Sequence, residues 1–209
     1  MQASSNPYKK ASDFLANIDP DWAQLIETVG DCTFAPDADA PYAALVSAIA
    51  YQQLHPKAGD AIMARLLGLY GKLYANQFPT PAQILATSFD DLRACGFSGR
   101  KIETIQGIAS AAQSGLVPDR KTAEALSDEE LIARLVTLKG IGRWTVEMFL
   151  MFTLGRMDVL PVDDFGVVNG YKRLKNLESA PKPKEMAAIG LAWSPHRTIA
   201  SWYLWRVPK

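Results

Sequence analysis

The chain has 209 residues, 48% of them hydrophobic, which is enough to bury a core in one large domain or two small lobes. No stretch approaches the roughly 20 uninterrupted apolar residues of a membrane span, and the opening MQASSNPYKK lacks the apolar core of a secretory leader, so the chain reads as an intracellular protein with no membrane partner. Two cysteines, Cys32 and Cys95, are too few for a disulfide framework or a four-thiolate metal site, and 22 Lys+Arg against 22 Asp+Glu leave no net charge, so any polyanion-binding face has to be local.

Apolar residues recur at helical spacing almost everywhere, and no run alternates with the period of a strand, which predicts an all-α fold. In chain order, helices are predicted near 9–17, 20–29, 40–54, 56–70, 81–87, 89–95, 99–114, 128–137, 143–154, 164–174, 184–191 and 195–206. The segment Thr33 to Ala40 is the expected early crossing between lobes. Between the third and fourth helices, Tyr51-Gln52-Gln53-Leu54-His55-Pro56-Lys57 is a tight turn, because Pro56 favours the first position of a new helix. Thr80-Pro81-Ala82-Gln83 and Ser127-Asp128-Glu129-Glu130 have the spacing of capping boxes, and Gly96, Gly115 and Gly155 stand where helices should stop. Phe97-Ser98-Gly99-Arg100-Lys101 opens a helix with a glycine and two cations; it is a candidate anion contact or an ordinary solvated helix start.

The segment Leu131 to Thr145 runs an apolar-faced helix into Gly140-Ile141-Gly142 and directly into the next helix. The glycines admit backbone conformations closed to other residues, and Ile141 can fill the space between the helices. Amides at the start of the second helix, with Lys139 and Arg143 on either side, can meet a phosphate where the helix dipole favours an anion. Further on, Pro161 precedes the acidic pair Asp163-Asp164, which opens the 164–174 helix; paired acids in such a place are as a rule caps. Trp144 and Met148 share a helical face that serves a core as well as a ligand pocket, and Trp202, Tyr203 and Trp205 have the same ambiguity.

The pattern LxxLxGIGxxT resembles the helix-hairpin-helix element, which contacts DNA backbone without reading sequence. Hairpin, helix, proline and aspartate in this order are similar to the helix-hairpin-helix base-excision glycosylase superfamily, whose signature is a hairpin, a Gly/Pro-rich loop and an Asp. Within it, GIGRWTVEMFLMFTLGRMDVLPVDDFGV resembles the alkylpurine branch, the DNA-3-methyladenine glycosylase II enzymes, and YQQLHPKAGDAI, GFSGRKIETIQGIA and WSPHRTIASWYLWR fall in the same order.

The resemblance implies a two-lobed helical protein with residues 35–157 as the hairpin lobe and 1–34 with 158–209 as the other, the active site lying in a cleft. Asp164 would be the catalytic carboxylate and Asp163 the helix cap. Trp144, Met148 and Trp205 would line the base pocket, and Leu54 would be the wedge that fills the stack when a base is flipped. His55, Lys57, Ser98, Arg100, Lys101, Lys139, Gly140, Gly142 and Arg143 would contact DNA, with Lys172, Arg173 and Lys175 as a further basic strip. Where bifunctional relatives carry a Schiff-base lysine this chain has Trp144, which implies hydrolysis without strand cleavage. The expected partner is duplex DNA bearing 3-methyladenine or 7-methylguanine, met by a monomer. No cofactor is expected beyond a monovalent cation on hairpin carbonyls, and no catalytic metal. A glycosylase for ethenoadenine or hypoxanthine, or a silent module that recognises damaged DNA, remain the alternatives.

Overall fold

A computed structural model describes residues 7–74 and 78–208, with no account of the side chains of 72–74. Residues 1–6, on which the leader reading partly rests, lie outside the described residues. The described chain is helical with no strand: α1 (Lys9–Ala16), α2 (Pro20–Val29), α3 (Pro41–Tyr51), α4 (Pro56–Tyr74), α5 (Pro81–Ala86), α6 (Phe89–Ala94), α7 (Gly99–Gln113), α8 (Arg120–Ala125), α9 (Asp128–Leu135), α10 (Arg143–Phe152), α11 (Phe165–Leu174), α12 (Pro183–Ile189), a 3-10 turn (Gly190–Trp193) and α13 (Arg197–Leu204). No described helix is long and apolar enough to cross a membrane.

The chain divides into two compact units, Asp37–Phe149 and Met1–Pro36 with Leu150–Lys209. The sequence reading places the first junction at 34/35 and the second at 157/158. In the structure the second falls inside α10, where no glycine, proline or polar run marks it. Helix α8 has no counterpart among the predicted elements: it opens with Arg120 and Lys121 and lacks a capping box, and Asp119 caps it through the Thr122 amide at 2.7 Å.

In the unit Asp37–Phe149, α7 is the central element, with Ile102, Ile105, Ile108 and Ala109 fully buried. Helices α3 and α5 pack on it through Leu45, Val46, Ile49 and Ile84. Each such side chain contributes about 1.5–3 kcal/mol by leaving water. The short helices are started by side chains rather than by propensity. Both predicted capping boxes form, Thr80 with Gln83 and Ser127 with Glu130, and Ser88 and Ser98 cap α6 and α7. Gly96, Gly115 and Gly155 turn the chain with φ of 104°, 77° and 64°.

In the other unit α1, α2, α11 and α13 pack around Leu15, Trp22, Met186, Trp193, Ile199 and Tyr203. Lys175, placed by the sequence in a basic strip, instead ties the end of α11 to the start of α2 through Asp19 at 2.6 Å and Asp21 at 2.7 Å. Helices α11 and α13 cross so closely that a Cβ on Gly170 would run into the Leu204 carbonyl oxygen and stand 2.8 Å from its carbon. Backbone cannot give way as a side-chain tip can, so Gly170→Ala is expected to destabilise this unit by about 1–3 kcal/mol, read as a lowered thermal midpoint. An unchanged midpoint would contradict the close crossing.

Candidate functional site

The candidate carboxylate is built by the start of α11. Pro161 is buried, its carbonyl accepts from the Asp164 amide at 3.0 Å, and α11 begins at Phe165. Asp164 is thus itself the N-cap: its Oδ1 accepts from the Val167 amide at 2.8 Å. This corrects the expectation that Asp163 caps the helix. Asp163 is exposed and lies one residue too early, because α11 starts one residue later than the sequence suggests. The same Oδ1 accepts a second bond from Trp205 Nε1–H at 2.8 Å. Two donors on one oxygen fix the rotation of the carboxylate, and the direction of Oδ2 with it.

Trp205 reaches Asp164 because residue 166 is glycine. A Cβ there would stand 2.6 Å from Trp205 Cδ1, 3.0 Å from its Nε1 and 3.1 Å from Asp164 Oδ1. The indole is half-buried and stacks on Phe152, with ring centroids 5.8 Å apart and planes 23° apart; Phe152 in turn meets Phe34 at 5.4 Å. Gly166 and Gly170, one turn apart on α11, thus admit Trp205 and the end of α13 on one face. The sequence reading passes over both glycines, although their four-residue spacing signals close helix packing. It places Trp205 at a pocket; the geometry adds a bond to the carboxylate.

The unit Asp37–Phe149 gathers the other candidates. Trp144 is 44% exposed and Met148 is half-buried on one face of α10, while Thr145, Val146 and Phe149 are buried on the other, so Trp144 is not a core residue. In the hairpin, Gly140 has φ +86°, and a Cβ on it would collide with Thr104 of α7. Ile141 is buried, as its position between two helices requires. Gly142 accepts the first bond of α10 from Val146 at 3.2 Å and so stands at the N-cap, where a Cβ would meet only open space. A glycine cap has no side chain to cover the first-turn amides. Both flanking cations are in ion pairs: Lys139 with Glu103 at 2.7 Å, and Arg143 with Glu147 at 2.9 Å and Glu129 at 3.2 Å. The Lys139 ammonium holds the Glu103 carboxyl below its usual range. The i, i+4 spacing of Arg143 and Glu147 is the sequence signal for their pairing.

Between α3 and α4 the turn presents Leu54, 39% exposed, with His55 and Lys57 also exposed; His55 Nδ1 accepts from the Lys57 amide at 3.4 Å. Gln53 adopts the left-handed conformation, φ +57°, which costs a non-glycine residue about 1–2 kcal/mol. Ser98 caps α7 and Arg100 is exposed. Lys101, read from the sequence as a phosphate contact, directs its part-buried ammonium to the Ala50 and Gln52 carbonyls, 2.9 Å each. The donor-poor end of α3 draws it there, and burial lowers its pKa. Gln52, Gln53, Ser98, Arg100, Lys101 and Lys139 line one groove of about 380 Å³, which brings turn, loop and hairpin together within this unit. Among the described residues no cluster of three or more His, Cys, Asp or Glu could hold a metal ion.

A family model described as the HhH-GPD superfamily base excision DNA repair protein matches residues 46–196. The chain is 44% identical to DNA-3-methyladenine glycosylase 1 of Schizosaccharomyces pombe, over 96% of this chain and 87% of that protein. It is 38% identical to the alkylbase DNA glycosidase-like protein mag2 of the same organism, over 99% and 97%. Among solved structures, the S. pombe 3-methyladenine DNA glycosylase in complex with abasic DNA superposes with a TM-score of 0.85 at 44% identity, covering 95% of this chain and 96% of that one. A DNA-3-methyladenine glycosidase from Bacillus halodurans gives 0.80 at 36%, covering 94% and 88%.

Because Asp164 is at once cap and candidate catalyst, its structural and chemical parts can be separated. Asparagine caps as well as aspartate and can accept the same two bonds, so Asp164→Asn is expected to leave stability within about 0.5 kcal/mol of the native protein, while Asp164→Ala costs about 1 kcal/mol. Thermal unfolding of the two variants checks this; equal losses would mean the cap is not made by this side chain.

Proposed function

The chain belongs to the HhH-GPD superfamily of base excision DNA repair proteins, and from that premise we propose that it is a monofunctional DNA glycosylase. It hydrolyses the N-glycosidic bond of alkylated purines, 3-methyladenine and 7-methylguanine, in duplex DNA and leaves an abasic site. The observation that carries this reading is the Asp164 carboxylate, fixed through one oxygen by the α11 amide of Val167 and the indole of Trp205.

Alkylation at N3 or N7 leaves the purine positively charged, so it departs with the bonding electrons as a neutral base and needs no general acid. Positive charge passes to the sugar, and a fixed carboxylate stabilises it without having to reorient as the bond breaks. Water then adds its oxygen to C1′ and gives up a proton. Trp144, exposed at the start of α10, offers a π face to a cationic purine, an interaction of about 0.5–2 kcal/mol. Its indole nitrogen cannot form the Schiff base that a lyase needs, which supports hydrolysis alone.

On this reading the protein meets DNA as a monomer. The Gly142 cap and the first amides of α10 take a phosphate, and Leu54 enters the stack left by the flipped base. Lys139 and Arg143 exchange their carboxylate partners for phosphate oxygens. Carbonyl oxygens of the hairpin turn are the donors that suit a monovalent cation; bound there, it would bring positive charge to the same phosphate and take no part in bond cleavage. The relatives named for 3-methyladenine support the substrate class.

The test is to incubate the protein with methylated duplex DNA and chromatograph the free bases, with Asp164→Asn beside it. Release of 3-methyladenine by the native protein, reduced by about a hundredfold or more in the variant while DNA binding persists, is expected. Binding without release of an alkylated base by the native protein would overturn the proposal.

A further inference from the structure

The turn that carries Leu54 is not held by its own backbone alone. Helix α3 ends at Tyr51, and the carbonyls of Ala50 and Gln52 lie where the helical ladder runs out. The next residue, Gln53, is left-handed without being glycine, so the turn needs support from outside itself. That support comes from three sides. The Tyr51 ring lies against Gly59, where a Cβ would strike it, and its hydroxyl donates to Asp60 at 2.6 Å. The Gln52 amide reaches buried Thr145 of α10 at 3.4 Å. Lys101, from α7, spans both carbonyls with one ammonium at 2.9 Å each.

We propose that Lys101 is a positioning residue, which holds the Gln52–Leu54 turn in the geometry that lets Leu54 enter duplex DNA. A lysine kept for phosphate holds its ammonium in solvent. This one is part-buried against the groove wall, its charge partly satisfied by two carbonyl dipoles, and it stands at the end of α3 where a cation also complements the helix dipole. Arg100, beside it and exposed, is left for solvent or phosphate. The inference rests on the glycosylase reading and on Leu54 as the wedge, and it concerns the step before bond cleavage, in which a stacked, paired purine leaves the helix. A lesion that is already unpaired makes little demand on that step.

The experiment measures single-turnover release of 7-methylguanine at saturating enzyme from two duplexes, one with the lesion opposite cytosine and one with it opposite an abasic analogue. Native protein, Lys101→Met, Leu54→Ala and the double variant Lys101→Met/Gln53→Gly are compared. Lys101→Met is expected to slow release from the paired lesion by about tenfold or more and from the unpaired lesion by less than about threefold. The glycine, which adopts the left-handed conformation without strain, should restore part of the paired-lesion rate. Equal slowing on both duplexes, or a change confined to DNA affinity and its salt dependence, would overturn the proposal. If Lys101→Met does not fold, Lys101→Arg takes its place, since it keeps the charge for a phosphate but not the compact ammonium between two carbonyls; a native ratio of the two rates would then overturn it. Leu54→Ala separates the premise from the inference. If it spares the paired lesion, the wedge reading fails; if it slows the paired lesion while the Lys101 variant does not, only the role of Lys101 fails.

Discussion

Two hydrogen bonds to one oxygen organise the candidate catalytic unit. Asp164 Oδ1 takes the Val167 amide and the Trp205 indole, so a side chain that could rotate is aimed. The requirement propagates outward: Trp205 can donate only if residue 166 lacks a Cβ, and α13 can bring Trp205 there only if Gly170 lets the Leu204 backbone approach. Phe152 supports the other face of the indole. A single carboxylate thus explains two glycines, an aromatic stack and a helix crossing. On the proposed reading the benefit is electrostatic, since a charge fixed before the reaction costs no reorganisation during it.

The unit Asp37–Phe149 follows a different constraint, the satisfaction of helix ends. Ser98, Asp119 and Ser127 cap three helices with their own side chains, and Lys101 serves the last carbonyls of α3 from a neighbouring helix. Helices α3 and α10 start differently, at Ala40 before Pro41 and at Gly142, neither of which has a side chain that caps. Around Gly142 the positive charge is already matched by Glu103, Glu129 and Glu147. On the proposed reading, a chain of zero net charge meets a polyanion by exchanging partners, with less counterion release than its lysine and arginine count suggests.

The helices, their capping boxes and the hairpin were legible in the sequence because each depends on neighbours in the chain. Period, cap and glycine are local signals, and they place α1–α7 and α9–α13 to within a few residues. Helix α8, as short as α5 and α6, was missed because it has Thr122 where a capping box has Glu or Gln and opens with Arg120 and Lys121, where acids are the usual signal. The junction inside α10 was missed because a continuous helix shows no break to either side. At the candidate site, motif order singled out Asp164 but not its place as the helix cap, since one residue of helix register decides between it and Asp163. The readings of Lys101 and Lys175 shared one cause. A cation near a glycine loop or on a helix looks solvent-facing, and only the fold reveals that α3 or α2 offers it oxygens from 49 or 156 residues away.

The central claim is that the Asp164 charge, and not that of its neighbour, answers the positive sugar of the transition state. It is tested by the affinity of the protein for two duplexes that differ only at one abasic position, a cationic pyrrolidine in one and a neutral tetrahydrofuran in the other. The account predicts that the native protein prefers the cation, that Asp163→Asn keeps the preference, and that Asp164→Asn loses it while binding the neutral duplex as before. A preference that survives in Asp164→Asn, or disappears in Asp163→Asn, would contradict it.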